Sequence, residues 1–154
     1  MKYCQSVKIK KVDFDIVKSS FHRIDFVSFL TYLQPVKILE WSGIKNGCVA
    51  YFKLWFFGWK KLKVIHKDYI NNDSHLKFID EGLELPLGLS FWHHTHIVEN
   101  NKKYITIRDN LIFSHSNYMV GLIIYPFMII PIILRRVLYK IYFKKNSNNI
   151  KDLT

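Results

Sequence analysis

A chain of 154 residues with a formal charge of +11 and 16% aromatic residues is long enough to bury one core, and its rings can fill that core or line an apolar cavity. Its cations are spread along the chain, and no helix-turn-helix, zinc-finger or glycine-rich phosphate loop is present, so nucleic acid is not an expected partner. Cys4 and Cys48 lack metal or redox spacing, and the N-terminal MKYCQSVKIKKVDFD has charges where a secretion signal needs an apolar run, so free thiols and a cytoplasmic location are expected.

Residues 6 to 17, SVKIKKVDFDIV, alternate in polarity and predict a strand with Val12, Phe14 and Ile16 on one face. The period then changes. Phe26, Phe29, Leu30 and Leu33 follow helical spacing, which predicts an amphipathic helix ending near Pro35. A second short helix is expected from Pro35 to about Trp41, with a break at Ser42-Gly43. Strands are expected near 47–56, 60–69, 75–81, 88–99 and 103–114, separated by turn signals at Gly58, Asn71-Asn72-Asp73, Gly82 to Pro86 and Asn100-Asn101.

The chain closes with a predicted apolar helix from about 118 to 145, bent at Pro126 and Pro131, with Ile123, Phe127, Ile130 and Leu134 turned to the sheet. Arg135, Arg136, Lys140, Lys144 and Lys145 in its last turns suit the negative end of the helix dipole. Within it, Met119 to Leu134 is free of charge, but that run is shorter than a spanning helix needs. A buried helix across a sheet is the expectation, and a peripheral membrane contact stays open. Residues 1–145 form one expected domain, and 146–154 an expected frayed polar tail. The expected class is thus α+β: a curved antiparallel sheet around a long C-terminal helix, with two short helices after the first strand.

This order and the wording of residues 78–113 resemble the SRPBCC superfamily, whose helix-grip fold is also called START-like or birch-pollen-allergen-like. Many bacterial members carry F-x-D, a Gly-Pro turn, W-x-H-x-H-x-F and T-x-x-D-x-V-x-Y. The matching residues are Phe78 and Asp80, then Pro86, then Trp92, His94, His96 and Val98, then Thr106, Asp109, Leu111 and Phe113. The chain departs at Leu85, where glycine usually precedes the proline, and at Gly82, where glutamine is frequent. HSNYMVG also replaces the usual proline-glycine step before the last helix. The resemblance implies an apolar ligand cavity between sheet and helix and implies no particular reaction, because members include catalysts and carriers.

Within FWHHTHIV, residues 91–98, strand alternation puts Trp92, His94, His96 and Val98 on one face and His93 on the other. Histidines two apart on a strand are a cupin-like metal pattern, but Glu99 comes too early and His115 lacks the preceding proline-glycine step, so no metal is expected. Asp80 and Asp109 are the expected partners of these histidines, either fixing them structurally or orienting an acid or base. Nucleophilic catalysis has no support: there is no Gly-x-Ser-x-Gly, and neither cysteine has a histidine near it in sequence.

The expected ligand-binding set is Trp92, His94, His96, Asp80 and Asp109, with Trp55, Phe78, Phe113 and Phe127 as apolar lining. The expected partner is a small apolar or amphipathic molecule, bound by a monomer or homodimer without a cofactor. A cyclase, dehydratase or isomerase in the same cavity, and a membrane-peripheral lipid binder, are the alternatives.

Overall fold

The computed structural model describes residues 1–151, with side-chain surroundings given through Lys145. The chain runs β1 (Lys2–Ile9), α1 (Phe14–Phe21), α2 (Ile24–Thr31), β2 (Val36–Trp41), β3 (Val49–Trp55), β4 (Trp59–Asn71), β5 (His75–Glu84), β6 (Leu89–Asn100), β7 (Ile105–His115) and α3 (Tyr118–Lys151). Every neighbouring pair is antiparallel, in the order β1-β7-β6-β5-β4-β3-β2, so one seven-stranded sheet wraps α3. The expected class and the five strands from 47 onward match this architecture.

Two local expectations are overturned. The first strand stops at Ile9, and Asp13 caps α1 by accepting the Asp15 amide at 2.7 Å. Phe14, Val17, Ser20 and Phe21 are the buried residues there, a helical set that also fits part of the strand-like alternation. The helix expected at 35–41 is instead the edge strand β2, paired Val36↔Leu54 through Trp41↔Ala50 with a bulge between Ile38 and Glu40. Val36 and Ile38 are β-branched, and pairing with β3 gives the backbone of this segment partners along its length.

The helix α3 runs unbroken through Pro126 and Pro131, but its buried face is one residue out of step with expectation. Ile124, Met128 and Ile132 are buried, whereas Ile123 is 67% exposed and Phe127 and Ile130 are also exposed. Leu134 is partly buried against the core. A helix that is apolar all round satisfies i, i+4, i+8 in several phases, so its sequence does not choose among them. Of the tail expected to fray, residues 152–154 lie outside the described residues, and the helix itself continues to Lys151.

Two apolar clusters fill the grip. One joins α1, α2 and the sheet to Leu138, Tyr139 and Phe143 of α3; the other joins Trp92, Leu111 and Phe113 to Ile124, Met128 and Ile132. The side chains between them are polar. Along β6 the inward row reads Trp92, His94, His96, Val98, passing from one cluster through two histidines into the other.

The turn into β6 holds Gly88 at φ +77°, where a Cβ would lie 2.8 Å from His115 Nε2, the donor to the Leu87 carbonyl. Gly88→Ala is expected to cost roughly 1–3 kcal/mol in urea denaturation, since both the backbone conformation and that bond resist it. A loss no larger than that of an ordinary surface substitution would show the turn to be slack.

Candidate functional site

Strand register builds the polar strip. His66 on β4 pairs with Asp80 on β5, and Asp80 pairs with His94 on β6. One step along, His96 pairs with Asp109 on β7, which pairs with Gln5 on β1. Two staggered rows of polar residues therefore cross five strands at the same depth, all facing α3.

Asp109 is the buried anchor. Gln5 Nε2 donates to its Oδ2 at 2.9 Å and to the Ile132 carbonyl at 2.7 Å, and Tyr139 donates to its Oδ1 at 3.3 Å. Arg135 Nη1 lies 3.9 Å from the same Oδ1. His94 Nε2 and His96 Nδ1 also face that oxygen, at 3.5 and 3.1 Å, though neither is aligned as a hydrogen bond. Asp80, by contrast, is 17% exposed, and it lines the cavity. Its Oδ2 accepts from His96 Nε2 at 3.0 Å and lies 3.8 Å from His94 Nδ1; its Oδ1 is 3.2 Å from His66 Nε2.

These neighbours separate the charges. Burial works against ionising Asp80, but the charge of His96 and the bonds from His66 and His96 overcome it and hold the carboxyl well below its usual range. Asp109 is held down in the same way by His94 and His96 against its burial. Burial would lower the pKa of His96, yet the adjacent Asp80 and Asp109 win and raise it. For His94 burial prevails, helped by the charge of His96, and its pKa falls to about 4. The strip therefore favours a proton on His96, between two carboxylates, over His94 beside it, which is neutral at neutral pH.

Above the strip lies a cavity of about 310 Å³. Phe26, Leu30 and Val36 close one side, Ala50, Phe52 and Leu62 the sheet wall, and Met128, Pro131 and Leu134 the helix wall. The strip forms its polar patch. Several buried polar atoms there have no partner among the described residues: Trp41 Nε1, Trp92 Nε1 and Arg135 Nε.

Of the residues expected at the site, Asp80, Trp92, His94, His96 and Phe78 line this cavity, with Trp55 and Phe127 at partly exposed positions in its wall. Asp109 and Phe113 do not line it. Asp109 stands behind the histidines, and Phe113 is fully buried against Trp92 and Tyr125, because its face of β7 meets the N-terminal part of α3. Sequence reasoning missed His66, Trp41 and Arg135, all of which line the cavity. Alternation of Leu62, Val64 and His66 would have placed His66 inward. Arg135, taken for a dipole-complementing cation, sits on the helix face shared by Met128 and Ile132.

No family model matches the chain, and no curated protein matches it. Its likenesses are to solved structures. A hypothetical protein, jhp0584 from Helicobacter pylori, shares 16% identity with TM-score 0.68, covering 93% of this chain and 88% of its own. A norcoclaurine synthase point mutant from Thalictrum flavum, in complex with a transition-state analogue, shares 15% identity with TM-score 0.65 over 96% of both chains. The same plant's norcoclaurine synthase in complex with dopamine and hydroxybenzaldehyde shares 14% identity with TM-score 0.62, over 100% of this chain and 88% of the other. Together with the sheet and helix order, these likenesses show the helix-grip fold.

Proposed function

We propose that the protein binds a small amphipathic molecule, its apolar body between α3 and the sheet and its polar head on the Asp80–His94–Arg135 patch. The observation that carries this is the set of buried donors without partners, Trp41 Nε1, Trp92 Nε1 and Arg135 Nε, around an otherwise apolar cavity. A buried donor left unpaired costs about 1–3 kcal/mol, so an occupant that accepts from these groups is favoured over a purely hydrocarbon one. Donors outnumber acceptors there, which fits a head bearing carbonyl, phenolic or carboxylate oxygen. The fold likeness to a synthase crystallised with dopamine and hydroxybenzaldehyde supports a ligand of that size and polarity.

Native mass spectrometry of freshly purified protein is expected to show an adduct that is lost on denaturation. The ligand so identified should raise the Tm of the stripped protein and bind with a negative heat-capacity change. Arg135→Met should weaken it at least about tenfold, since a charged hydrogen bond is worth roughly 1.5–3 kcal/mol. A protein that carries nothing and is stabilised by no amphipathic compound would sink the reading.

A catalytic use of the cavity is favoured by one feature: a neutral His94 facing the cavity, with a fixed carboxylate behind it. A cyclase, dehydratase or isomerase reaction would use it as acid or base, and turnover unchanged in His94→Gln would exclude that role. Peripheral membrane contact is favoured by the outer face of α3. Tyr118–Lys145 is long and apolar enough to cross a membrane; its most apolar 18-residue stretch has mean hydropathy 1.9, and 22% of that stretch is buried in the fold. Spanning would strip Ile124, Met128 and Ile132 from the core, so the helix would lie on a bilayer rather than cross it. Co-sedimentation with anionic vesicles at low and high salt tests this, and no binding at either would remove it.

A further inference from the structure

We propose that Asp80, His94 and His96 form a binding site for a divalent first-row transition-metal ion, with Asp109 orienting both histidines. One ligand atom from each of the three residues lies within 4.8 Å of the others. Asp80 Oδ2 is 3.0 Å from His96 Nε2 and 3.8 Å from His94 Nδ1. A tetrahedral ion with bonds of about 2.0–2.1 Å places its ligands roughly 3.3 Å apart, between these two separations.

The opposite ring nitrogens argue more strongly. His94 Nε2 and His96 Nδ1 both face Asp109 Oδ1, at 3.5 and 3.1 Å. Neither contact is aligned as a hydrogen bond, but the placement is the one a metal centre uses, in which each imidazole gives one nitrogen to the ion and turns its other N–H toward a carboxylate. Asp109 is suited to that outer position because Gln5 and Tyr139 fix it and it has no exposure. Asp80 faces the cavity, which leaves the ion's remaining positions open to a ligand or water.

Two imidazoles and one carboxylate suit zinc, iron, nickel or copper, and do not suit magnesium or calcium, which prefer all-oxygen shells. Charge is consistent as well. A divalent ion would add its charge to the carboxylates of Asp80 and Asp109 and the cation of Arg135, leaving an excess positive charge. That excess favours an anionic or oxygen-donor head group in the cavity. The inference does not rest on the ligand reading, since an ion can bind with water in the open positions. It reverses the expectation from the sequence, which looked for a third ligand at cupin spacing. Here the third ligand comes from the neighbouring strand, through the Asp80↔His94 register.

The test uses the full chain after dialysis against a chelator. Titration with Co(II) is expected to give the visible ligand-field bands of a four- or five-coordinate nitrogen–oxygen site at one equivalent, and Zn(II) should displace it. Asp109→Asn should weaken Zn(II) binding about 10- to 100-fold, as loss of an outer-shell partner does, and Asp80→Asn and His94→Gln should weaken it further. His93→Gln, on the opposite face of β6, should leave affinity unchanged. X-ray absorption of the wild-type complex should count two imidazoles, and this stands even if a variant fails to fold. Absence of the bands, or affinity that survives in both Asp80→Asn and His94→Gln, would overturn the proposal and leave the strip as a proton-bridged network.

Discussion

Asp109→Ala is expected to destabilise the protein by about 3–5 kcal/mol, the range seen when one partner of a buried ion pair is removed. Asp109 has no solvent exposure and faces the side chains of Gln5, Tyr139, Arg135, His94 and His96. Without it, Arg135 and His96 share a low-dielectric interior with Asp80 as the one remaining carboxylate among the described residues, and Gln5 and Tyr139 each lose an acceptor. In a domain of this size the loss corresponds to a fall in Tm of roughly 10 °C. Asp109→Asn should cost less, because the amide oxygen still accepts from one of Gln5 and Tyr139, although its NH2 then faces the other and the charge is gone. Equilibrium urea denaturation of both variants decides the matter. A loss below about 1 kcal/mol for Asp109→Ala would mean that the strip is hydrated in solution and that Asp109 does not anchor it.

The inward row of β6 was legible in the sequence because a strand has only two faces, and Trp92 and Val98 fix which is buried. Asp80 and Asp109 were legible as partners, but their division of labour was not. That division depends on register: Asp80 sits opposite His94 at the cavity, whereas Asp109 sits opposite His96 with Tyr139 above it. His66 escaped notice for the same reason, since only the pairing of β4 with β5 brings it to Asp80. The phase of α3 was illegible for a different reason. Ile123, Phe127 and Ile130 are as apolar as Ile124, Met128 and Ile132, so the shape of the sheet, and not helical periodicity, chose the buried face. The same ambiguity leaves an apolar outer face on α3, which keeps the membrane reading alive. β2 shows the limit of local preference, because its conformation comes from β3 beside it.

Acidification from pH 7 to pH 4 is expected to remove about 3 kcal/mol of stability through His94 alone. In the unfolded chain this imidazole titrates at its ordinary value of 6.5, whereas in the folded protein burial and the charge of His96 lower it to about 4. Between those values the unfolded chain binds a proton that the native state refuses, so stability falls as pH falls, by about 1.4 kcal/mol per unit. The carboxylates act in a separate window. Asp80 and Asp109 are held well below 3.8, so their contribution is intact above that value and is lost only as pH falls toward their lowered pKa values. His96 acts with the opposite sign. Its raised pKa gives stability that is full below 6.5 and lost as pH rises through the raised value. Asp80, Asp109, His96 and Arg135 are the charged groups facing His94, and together they place the stability maximum near neutral pH. With a chelator present, so that no ion competes with protons, His94→Gln should flatten the curve between pH 6.5 and 4 and leave the steeper limb below it. An unchanged slope in that window would show that His94 is protonated in the native state at pH 5 and that water reaches the strip.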